Sequence, residues 1–232
     1  MLETRAKLLI ADDEPTIRLA MSHVLTEIGY QVRSAQDGFS ALAEMRRETP
    51  DILLSDLNMP GMSGFELLSV VRRRFPSVQT IAMSGAFHGD EVPSGVAADA
   101  FYQKGSSVGS LLRIMESLPV AERPLIHQPL SALAPVWIQR SGNNASGELY
   151  CTIACPECLR AFSQALGDSG SQMWKTDCVY CGCSIPCAIV QQADLARVQG
   201  VAHSGQILER QLYQEMREPG MTMSMNHPQP CN

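Results

Sequence analysis

Charge, aromatic side chains and long apolar runs are all scarce in this sequence. Charged residues make up 18% of its 232 residues, aromatic residues make up 6%, and the formal net charge is −6. A broad nucleic-acid surface needs a basic face, so this acidic balance argues against a nucleic-acid partner. No segment reaches the roughly 18 apolar residues that a membrane helix needs, so we expect no membrane association.

The start of the chain does not have the pattern of a secretory signal. In MLETRAKLLIADDEP a short apolar run is followed at once by acidic residues. We therefore expect a cytoplasmic protein. Thiols stay reduced in the cytoplasm, so the eight cysteines indicate metal or redox chemistry rather than disulfide bonds.

Strand-like and helix-like segments alternate through the first half of the chain. The strand-like segments are the apolar runs in KLLIADDE, YQVRSA, DILLSD, VQTIAMSG and DAFYQKG, and segments with helical periodicity separate or follow them. Near-continuous apolar strands in such an alternation predict a parallel sheet with helices on both faces. We therefore expect a five-stranded, doubly wound α/β domain over residues 1–118.

The second half of the chain has a different organisation. Four prolines indicate an extended linker over residues 119–135. A small β-rich module over 136–191 follows, with a strand, a turn at 141–144, a strand before the first CxxC pair and a strand after the second. Residues 192–218 predict a polar C-terminal helix, and 219–232 a disordered tail.

Acidic and polar residues stand at the ends of the predicted strands. Asp12 and Asp13 end the first strand, Asp56 the third, Ser84 the fourth and Lys104 the fifth. Ligands of doubly wound sheets bind beyond the carboxyl ends of the strands. Converging carboxylates in an open site suit Mg²⁺. With a carboxylate as nucleophile, these groups would form a site for a phosphoryl group.

The motifs ADDEP, LLSDLNMPGMSGFELL, AMSG and AFYQKG occur in this order. Together they resemble the receiver domains of two-component response regulators, over about residues 6–118. The resemblance implies a flavodoxin-like receiver fold with Asp56 as phosphoacceptor. It further implies that Asp12, Asp13 and Asp56 hold Mg²⁺, with Asp13 as a direct ligand and Asn58 contributing its backbone carbonyl.

The same resemblance assigns roles around the phosphoryl group. Ser84 and Lys104 would bind its oxygens, and Phe101 would be the aromatic that turns inward on activation together with the Ser84 loop. We expect Tyr102 to face the other way. The family usually has a proline after the lysine, whereas Gly105 stands here, so we expect a trans peptide or a changed loop.

Two CxxC pairs, Cys155/Cys158 and Cys178/Cys181, are separated by 19 residues. This spacing is typical of a four-cysteine zinc site, because two such turns can complete a tetrahedron of thiolates. Strand-like flanks indicate a zinc ribbon. Four protein ligands saturate a tetrahedral ion, so we expect a structural role for Zn²⁺ that supplies folding energy to a small module. Thiol redox chemistry and an iron–sulfur cluster are the alternatives.

The remaining cysteines have weaker patterns. Cys183 lies two residues after Cys181 and could compete as a ligand. Cys151 and Cys187 stand in strand-like flanks and predict small buried apolar residues. Cys231 stands in the predicted tail, and we assign it no role.

The motifs together predict a response regulator of a two-component phosphorelay. Its expected partners are a sensor histidine kinase or phosphotransfer protein and a downstream protein, with a homodimer left open. Signalling would use protein contacts of the receiver or the cysteine module, with no enzyme activity beyond the receiver's own phosphorylation and dephosphorylation. The alternatives are a transcription regulator whose zinc ribbon contacts nucleic acid and a redox-sensing regulator that uses the CxxC pairs.

Overall fold

A computed structural model describes residues 6–85, 96–118, 135–138, 142–143, 149–166 and 173–189. In its first part, five strands alternate with four helices. The strands are β1 Lys7–Ala11, β2 Gln31–Ala35, β3 Ile52–Asp56, β4 Gln79–Ser84 and β5 Ala100–Gln103. The helices are α1 Pro15–Glu27, α2 Gly38–Arg47, α3 Gly64–Arg74 and α4 Val108–Ser117.

All five strands belong to one parallel sheet with the order β2-β1-β3-β4-β5. One face of the sheet packs with α1 and α4, and the other with α2 and α3. This arrangement confirms the predicted doubly wound α/β fold. Because β1 lies between β2 and β3, the strand order reverses at β1, and the carboxyl ends of β1 and β3 flank the crevice where such folds bind ligands.

Local sequence signals fix the ends of the helices. Ser63 and Ser107 are the N-caps of α3 and α4, and their hydroxyl oxygens accept hydrogen bonds from backbone N–H groups three residues later. Asp37 forms a capping box with Ser40 at the start of α2. After α1 the chain turns at Gly29, whose φ of 106° lies in the left-handed region that favours glycine.

The second part of the chain forms two three-stranded sheets. The strands are β6 Val136–Ile138, β7 Gly142–Asn143, β8 Leu149–Ala154, β9 Ala161–Ala165, β10 Met173–Asp177 and β11 Ser184–Ile189. One sheet has the order β10-β11-β6 and the other has the order β7-β8-β9. We call residues 135–189, as far as they are described, the cysteine module. Its β-rich character was predicted from the sequence.

Two details of the cysteine module differ from the sequence prediction. The turn expected at 141–144 is wrong for Gly142–Asn143, which pairs with β8 as the short strand β7. Strands β9 and β10, between the two CxxC pairs, were not predicted. Exposed polar side chains interrupt both strands, so the apolar signal of a buried strand is weak there.

The cysteine module and the α2–α3 face of the first part share one apolar core. Phe65 and Leu68 of α3 belong to the same buried cluster as Val136, Ile138 and Ile153 of the module. Helix α3 therefore lies between the parallel sheet and the module.

Several predicted segments lie outside the described residues. These are the linker before residue 135, the helix 192–218, the tail 219–232 and Cys231. Within the described parts of the chain, no helix is long and apolar enough to cross a membrane.

Candidate functional site

Three carboxylates meet where β1 and β3 end. The carboxylate oxygens of Asp12, Asp13 and Asp56 lie within 4.8 Å of one another. The parallel pairing of β1 with β3 brings them together, as expected from the sequence. Asp12 is fully buried and Asp56 is 6% exposed, whereas Asp13 is exposed at the mouth of the cluster. The cluster is therefore open to solvent on one side.

Lys104 supplies the positive charge of this site. Its Nζ lies 2.9 Å from Asp12 Oδ2 and 2.9 Å from Asp56 Oδ2. Three carboxylates around one ammonium leave an excess of negative charge in a largely buried place, and such an excess favours a bound cation. Oxygen ligands in an open site are the donor set that Mg²⁺ prefers.

The pKa values reflect this crowding. Burial raises the pKa of Asp56 to about 6, against the opposing effect of Lys104 and with a further increase from Asp12. Burial lowers the pKa of Lys104, but the Asp56 and Asp12 carboxylates outweigh it and raise that pKa above its ordinary value. Burial and then Asp12 raise the pKa of Asp13. Burial, with a smaller contribution from the neighbouring carboxylates, thus outweighs the effect of Lys104 on the pKa of Asp56 and of Asp13.

Gly105, which stands where the family usually has a proline, leaves Lys104 within ion-pair distance of Asp12 and Asp56. The Lys104–Gly105 peptide is trans, as expected, and Gly105 has a φ of 95°, in the left-handed region. Lys104 N donates to the carbonyl of Ser84 at 2.9 Å, so the loop after β5 stays attached to the end of β4. Ser84 itself is buried at the edge of the site.

The two aromatic residues of β5 face opposite sides of the sheet. Tyr102 is buried on the α1–α4 side and its hydroxyl donates to the carbonyl of Ser106 at 2.7 Å. Phe101 is half-buried against the core on the α2–α3 side. Asn58 is exposed in the loop between β3 and α3. The opposite facing of Phe101 and Tyr102 agrees with the sequence prediction, and the functional roles of all three residues remain predictions.

Known proteins resemble this part of the chain. Residues 8–104 match the family described as the response regulator receiver domain. A stretch of 96 residues is 35% identical to the sensor protein EvgS of Escherichia coli K12, covering 41% of this chain and 8% of EvgS. A stretch of 120 residues is 32% identical to the DNA-binding transcriptional regulator NtrC of Salmonella typhimurium, covering 51% of this chain and 24% of NtrC.

The solved structure of the chemotaxis response regulator CheY4 of Vibrio cholerae is 31% identical, with a TM-score of 0.44. It covers 49% of this chain and 98% of CheY4. Residues 8–104 are a response regulator receiver domain. The matched stretches span less than a quarter of EvgS and NtrC, and the cysteine module lies outside the matched receiver residues.

The second candidate site is a cluster of thiols in the cysteine module, outside the receiver domain. The sulfur atoms of Cys155, Cys158, Cys178 and Cys181 lie within 4.8 Å of one another. The Sγ atoms of Cys155 and Cys181 are 3.7 Å apart, as are those of Cys158 and Cys178. Tetrahedral zinc with Zn–S bonds of about 2.3 Å separates its sulfur ligands by about 3.8 Å. The four predicted ligands therefore fit a zinc ion.

Of the other described cysteines, one adjoins this cluster and two are buried in the core. Cys183 Sγ lies 3.2 Å from Cys155 Sγ, so a fifth thiol adjoins the four. A backbone hydrogen bond from Cys183 lowers the pKa of Cys181 to about 7, which favours a thiolate at this ligand position. Cys151 and Cys187 are fully buried in the core, in agreement with the prediction of small apolar residues.

Sequence reasoning missed Glu66. This α3 residue is 2% exposed, and its Oε1 accepts a hydrogen bond from Ala154 N at 2.8 Å. Burial raises the pKa of Glu66 to about 8, only partly opposed by the bond from Ala154. A glutamate in the first turn of a helix usually has a simple electrostatic explanation, so it carried no signal of burial. The nearly unbroken apolar run around it in GFELLSVV was the available signal.

Proposed function

We propose that the protein is a phosphorylation-dependent response regulator that accepts a phosphoryl group on Asp56. The observation that carries this proposal is the position of the Asp56 carboxylate in a receiver domain, between Lys104 and two further aspartates. A nucleophile of this kind needs an ionised carboxylate with neighbouring cations to neutralise the incoming phosphoryl oxygens.

The phosphodonor would be a phosphohistidine on a sensor histidine kinase or phosphotransfer protein. An oxygen of Asp56 attacks the phosphorus, an O–P bond forms, and the P–N bond breaks. The electron pair of that bond goes to the imidazole nitrogen, which takes up a proton. Lys104 then pairs with the new phosphoryl oxygens, and the Ser84 hydroxyl donates a hydrogen bond to one of them.

Asp12, Asp13, Asp56 and the backbone carbonyl of Asn58 are the groups we assign to Mg²⁺. Carboxylates that crowd to within 4.8 Å of one another support this assignment. The bound ion would neutralise phosphoryl oxygens during transfer.

Activation would reach the surface through β4 and β5. Lys104 N already donates to the carbonyl of Ser84, so a displacement of one strand end affects the other. Phe101 lies on β5 opposite Ala82 of β4 and is half-buried. We assign Ser84 and Phe101 as the switch pair.

Phosphoryl uptake from acetyl phosphate tests the acceptor. Full-length protein should gain one phosphoryl group by intact mass in the presence of Mg²⁺, and Asp56→Asn should gain none. Asp51→Asn is the matched control, because Asp51 stands just before the same strand and is exposed. Continued uptake by Asp56→Asn would overturn the assignment.

For the cysteine module we propose a structural Zn²⁺ held by Cys155, Cys158, Cys178 and Cys181. The two sulfur–sulfur distances of 3.7 Å support it. Purified full-length protein should contain about one zinc per chain. Cys158→Ser should lose it, whereas Cys187→Ser should keep it, since Cys187 is buried away from the cluster. Zinc-free protein whose thiols oxidise reversibly would favour redox sensing instead.

We further propose that the output acts through protein contacts rather than catalysis. Val179 and Tyr180, between the ligands of the second CxxC pair, are 70% and 51% exposed. The guanidinium of Arg160 lies 5.3 Å from the centre of the Tyr180 ring. An aromatic and an aliphatic side chain on a turn anchored by metal ligands suit a protein partner.

A further inference from the structure

Helix α3 is buried on every side over most of its length. All eight residues from Gly64 to Val71 are buried, including Glu66 and Ser69. A helix on the outer face of a doubly wound α/β domain normally leaves a polar face in water. Here the cysteine module covers that face, with Val136 and Ile138 of β6 in the shared core.

Glu66 and Ser69 of α3 both accept hydrogen bonds from the module. Ala154 N donates to Glu66 Oε1 at 2.8 Å, and Trp137 N donates to Ser69 Oγ at 3.4 Å. Ser69 also donates to the carbonyl of Phe65 at 2.7 Å, so its hydroxyl is held in place. The bond to Glu66 is the shorter one, and it lies entirely in the buried interface.

The same helix begins directly against the phosphoacceptor. Gly64 N donates to the carbonyl of Leu57 at 3.1 Å, and Leu57 N donates to the carbonyl of Met83 at 3.0 Å. A Cβ on Gly64 would lie 1.9 Å from the carbonyl oxygen of Asp56. The first turn of α3 is therefore in close contact with the backbone of Asp56 and hydrogen-bonded to the residue that follows it.

The partner of Glu66 lies next to the thiol cluster. Ala154 is followed by Cys155, whose N–H donates to the carbonyl of Arg160 at 3.0 Å, and Leu159 N donates to the carbonyl of Cys155 at 2.8 Å. These two bonds shape the turn of the first CxxC pair. Glu66 is thus hydrogen-bonded to the residue that leads into this turn.

We propose that helix α3 couples the two sites, so that phosphorylation of Asp56 weakens zinc binding at the thiol cluster. The inference rests on the proposed function, because it requires both a phosphoryl group and a zinc ion. Coupling of binding free energies is reciprocal, so zinc then disfavours phosphorylation by the same factor.

The direction follows from the docked arrangement. At one end of α3 the carbonyl of Asp56 lies against Gly64, and at the other side of the helix the module is packed with the bond between Glu66 and Ala154 formed. A phosphoryl group that draws Lys104 and the β3–α3 loop toward itself shifts Gly64, and this shift lengthens that bond. The turn around Cys155 then loses its support on α3.

Glu66 also makes the interface able to open. A carboxyl group buried in an apolar interface with one hydrogen bond loses most of its hydration, and opening the interface restores it. Docking thus has to outweigh this cost through its apolar contacts. A modest displacement at Gly64 can therefore shift the balance between the docked and the loosened module.

The affinity for zinc, measured by equilibrium competition with a chromophoric, zinc-selective chelator, tests the coupling in full-length protein with Mg²⁺. Beryllofluoride serves as the phosphoryl mimic. We expect the Kd for zinc to be at least about fivefold higher with beryllofluoride than without, the lower end of typical couplings. Zinc affinities equal within error, with both zinc and beryllofluoride shown to be bound, would overturn the coupling and leave the proposed function intact.

Two substitutions locate the coupling at Glu66. Glu66→Gln keeps an acceptor for the N–H of Ala154 and should keep the difference in zinc affinity. Glu66→Met fills similar space without an acceptor and should reduce it, whereas Glu27→Met, at an exposed end of α1, should not. Should Glu66→Met fail to fold, beryllofluoride affinity of zinc-loaded and zinc-free wild type gives the reciprocal test, and equal affinities refute the proposal. Protein that binds no zinc, or no beryllofluoride, refutes the proposed function instead.

Discussion

Gly64→Ala tests how closely α3 packs against the end of β3, the strand that carries Asp56. The new Cβ would lie 1.9 Å from the carbonyl oxygen of Asp56 and 2.8 Å from the Cα of Leu57. An ordinary carbon–oxygen contact is about 3.3 Å or longer, so the two backbones must separate by more than about 1 Å. Backbone atoms cannot rotate out of the way as a side chain can, so the helix and the strand end have to shift.

We expect Gly64→Ala to destabilise the protein by about 3 kcal/mol, the upper end of the usual cost of overpacking. For a chain of this size that corresponds to a Tm lower by about 6–12 °C. Gly109→Ala is the matched control, since it lies in the first turn of α4 and its Cβ would meet only Ser107 Oγ at 3.7 Å. Alanine there should stabilise the helix by about 0.5–1 kcal/mol.

Function should change along with stability. A displacement of about 1 Å at the reacting group can cost about 100-fold in rate. At a temperature below its Tm, Gly64→Ala should therefore take up phosphoryl groups at least about tenfold more slowly than the wild type. Urea unfolding and intact mass after acetyl phosphate treatment measure the two effects. A variant with wild-type stability and uptake would refute the close packing of α3 against Asp56.

Three further predictions concern the interface, the cluster and β4. Burial raises the pKa of Glu66 from 4.5 to about 8, so between these pH values the folded chain binds a proton that the unfolded chain has lost. The stability of the wild type therefore falls as pH rises through this range. Glu66→Gln should remove up to about 5 kcal/mol of that fall, measured by urea unfolding near pH 5 and pH 9. Zinc analysis should show loss of metal in Cys181→Ser and retention in Cys183→Ser. Asp99→Ala should lower the free energy of unfolding in urea by about 3 kcal/mol, because this carboxylate accepts hydrogen bonds from the N–H and the hydroxyl of Thr80, a buried residue of β4. Arg72 is the half-exposed ion-pair partner of Asp99, so Arg72→Ala should cost at most about 1 kcal/mol.

The receiver fold and its carboxylate site could be predicted from the sequence for a local reason. The strands that carry the site contain short apolar runs, and Asp12, Asp56 and Lys104 stand at or directly after the ends of these strands. Parallel pairing brings all carboxyl ends to one edge, so knowing the strands places Asp12, Asp56 and Lys104 in one crevice. The four cysteines were predictable in the same way, because a CxxC turn sets the direction of both thiols within four residues.

The docking of the cysteine module could not be predicted from local patterns. The hydrogen bond between Glu66 and Ala154 joins residues 88 positions apart, and neither residue type is unusual in its own segment. Strand β10 was missed because its side chains alternate between exposed and half-buried, with Lys175 and Asp177 among them. The approach of Cys183 to Cys155 likewise depends on two separate turns and on no spacing rule.

The shared core also changes how the two parts of the chain relate to each other. Val136, Ile138 and Ile153 are fully buried in one cluster with the apolar residues of α3, so separating the module from the receiver would expose apolar surface on both. It would also expose a carboxyl group, Glu66, whose hydration favours separation. In the proposed coupling, these opposing terms make the interface the element whose equilibrium a phosphoryl group at Asp56 would bias. Signal output from this receiver would then depend on the packing of α3 as much as on the switch residues of β4 and β5.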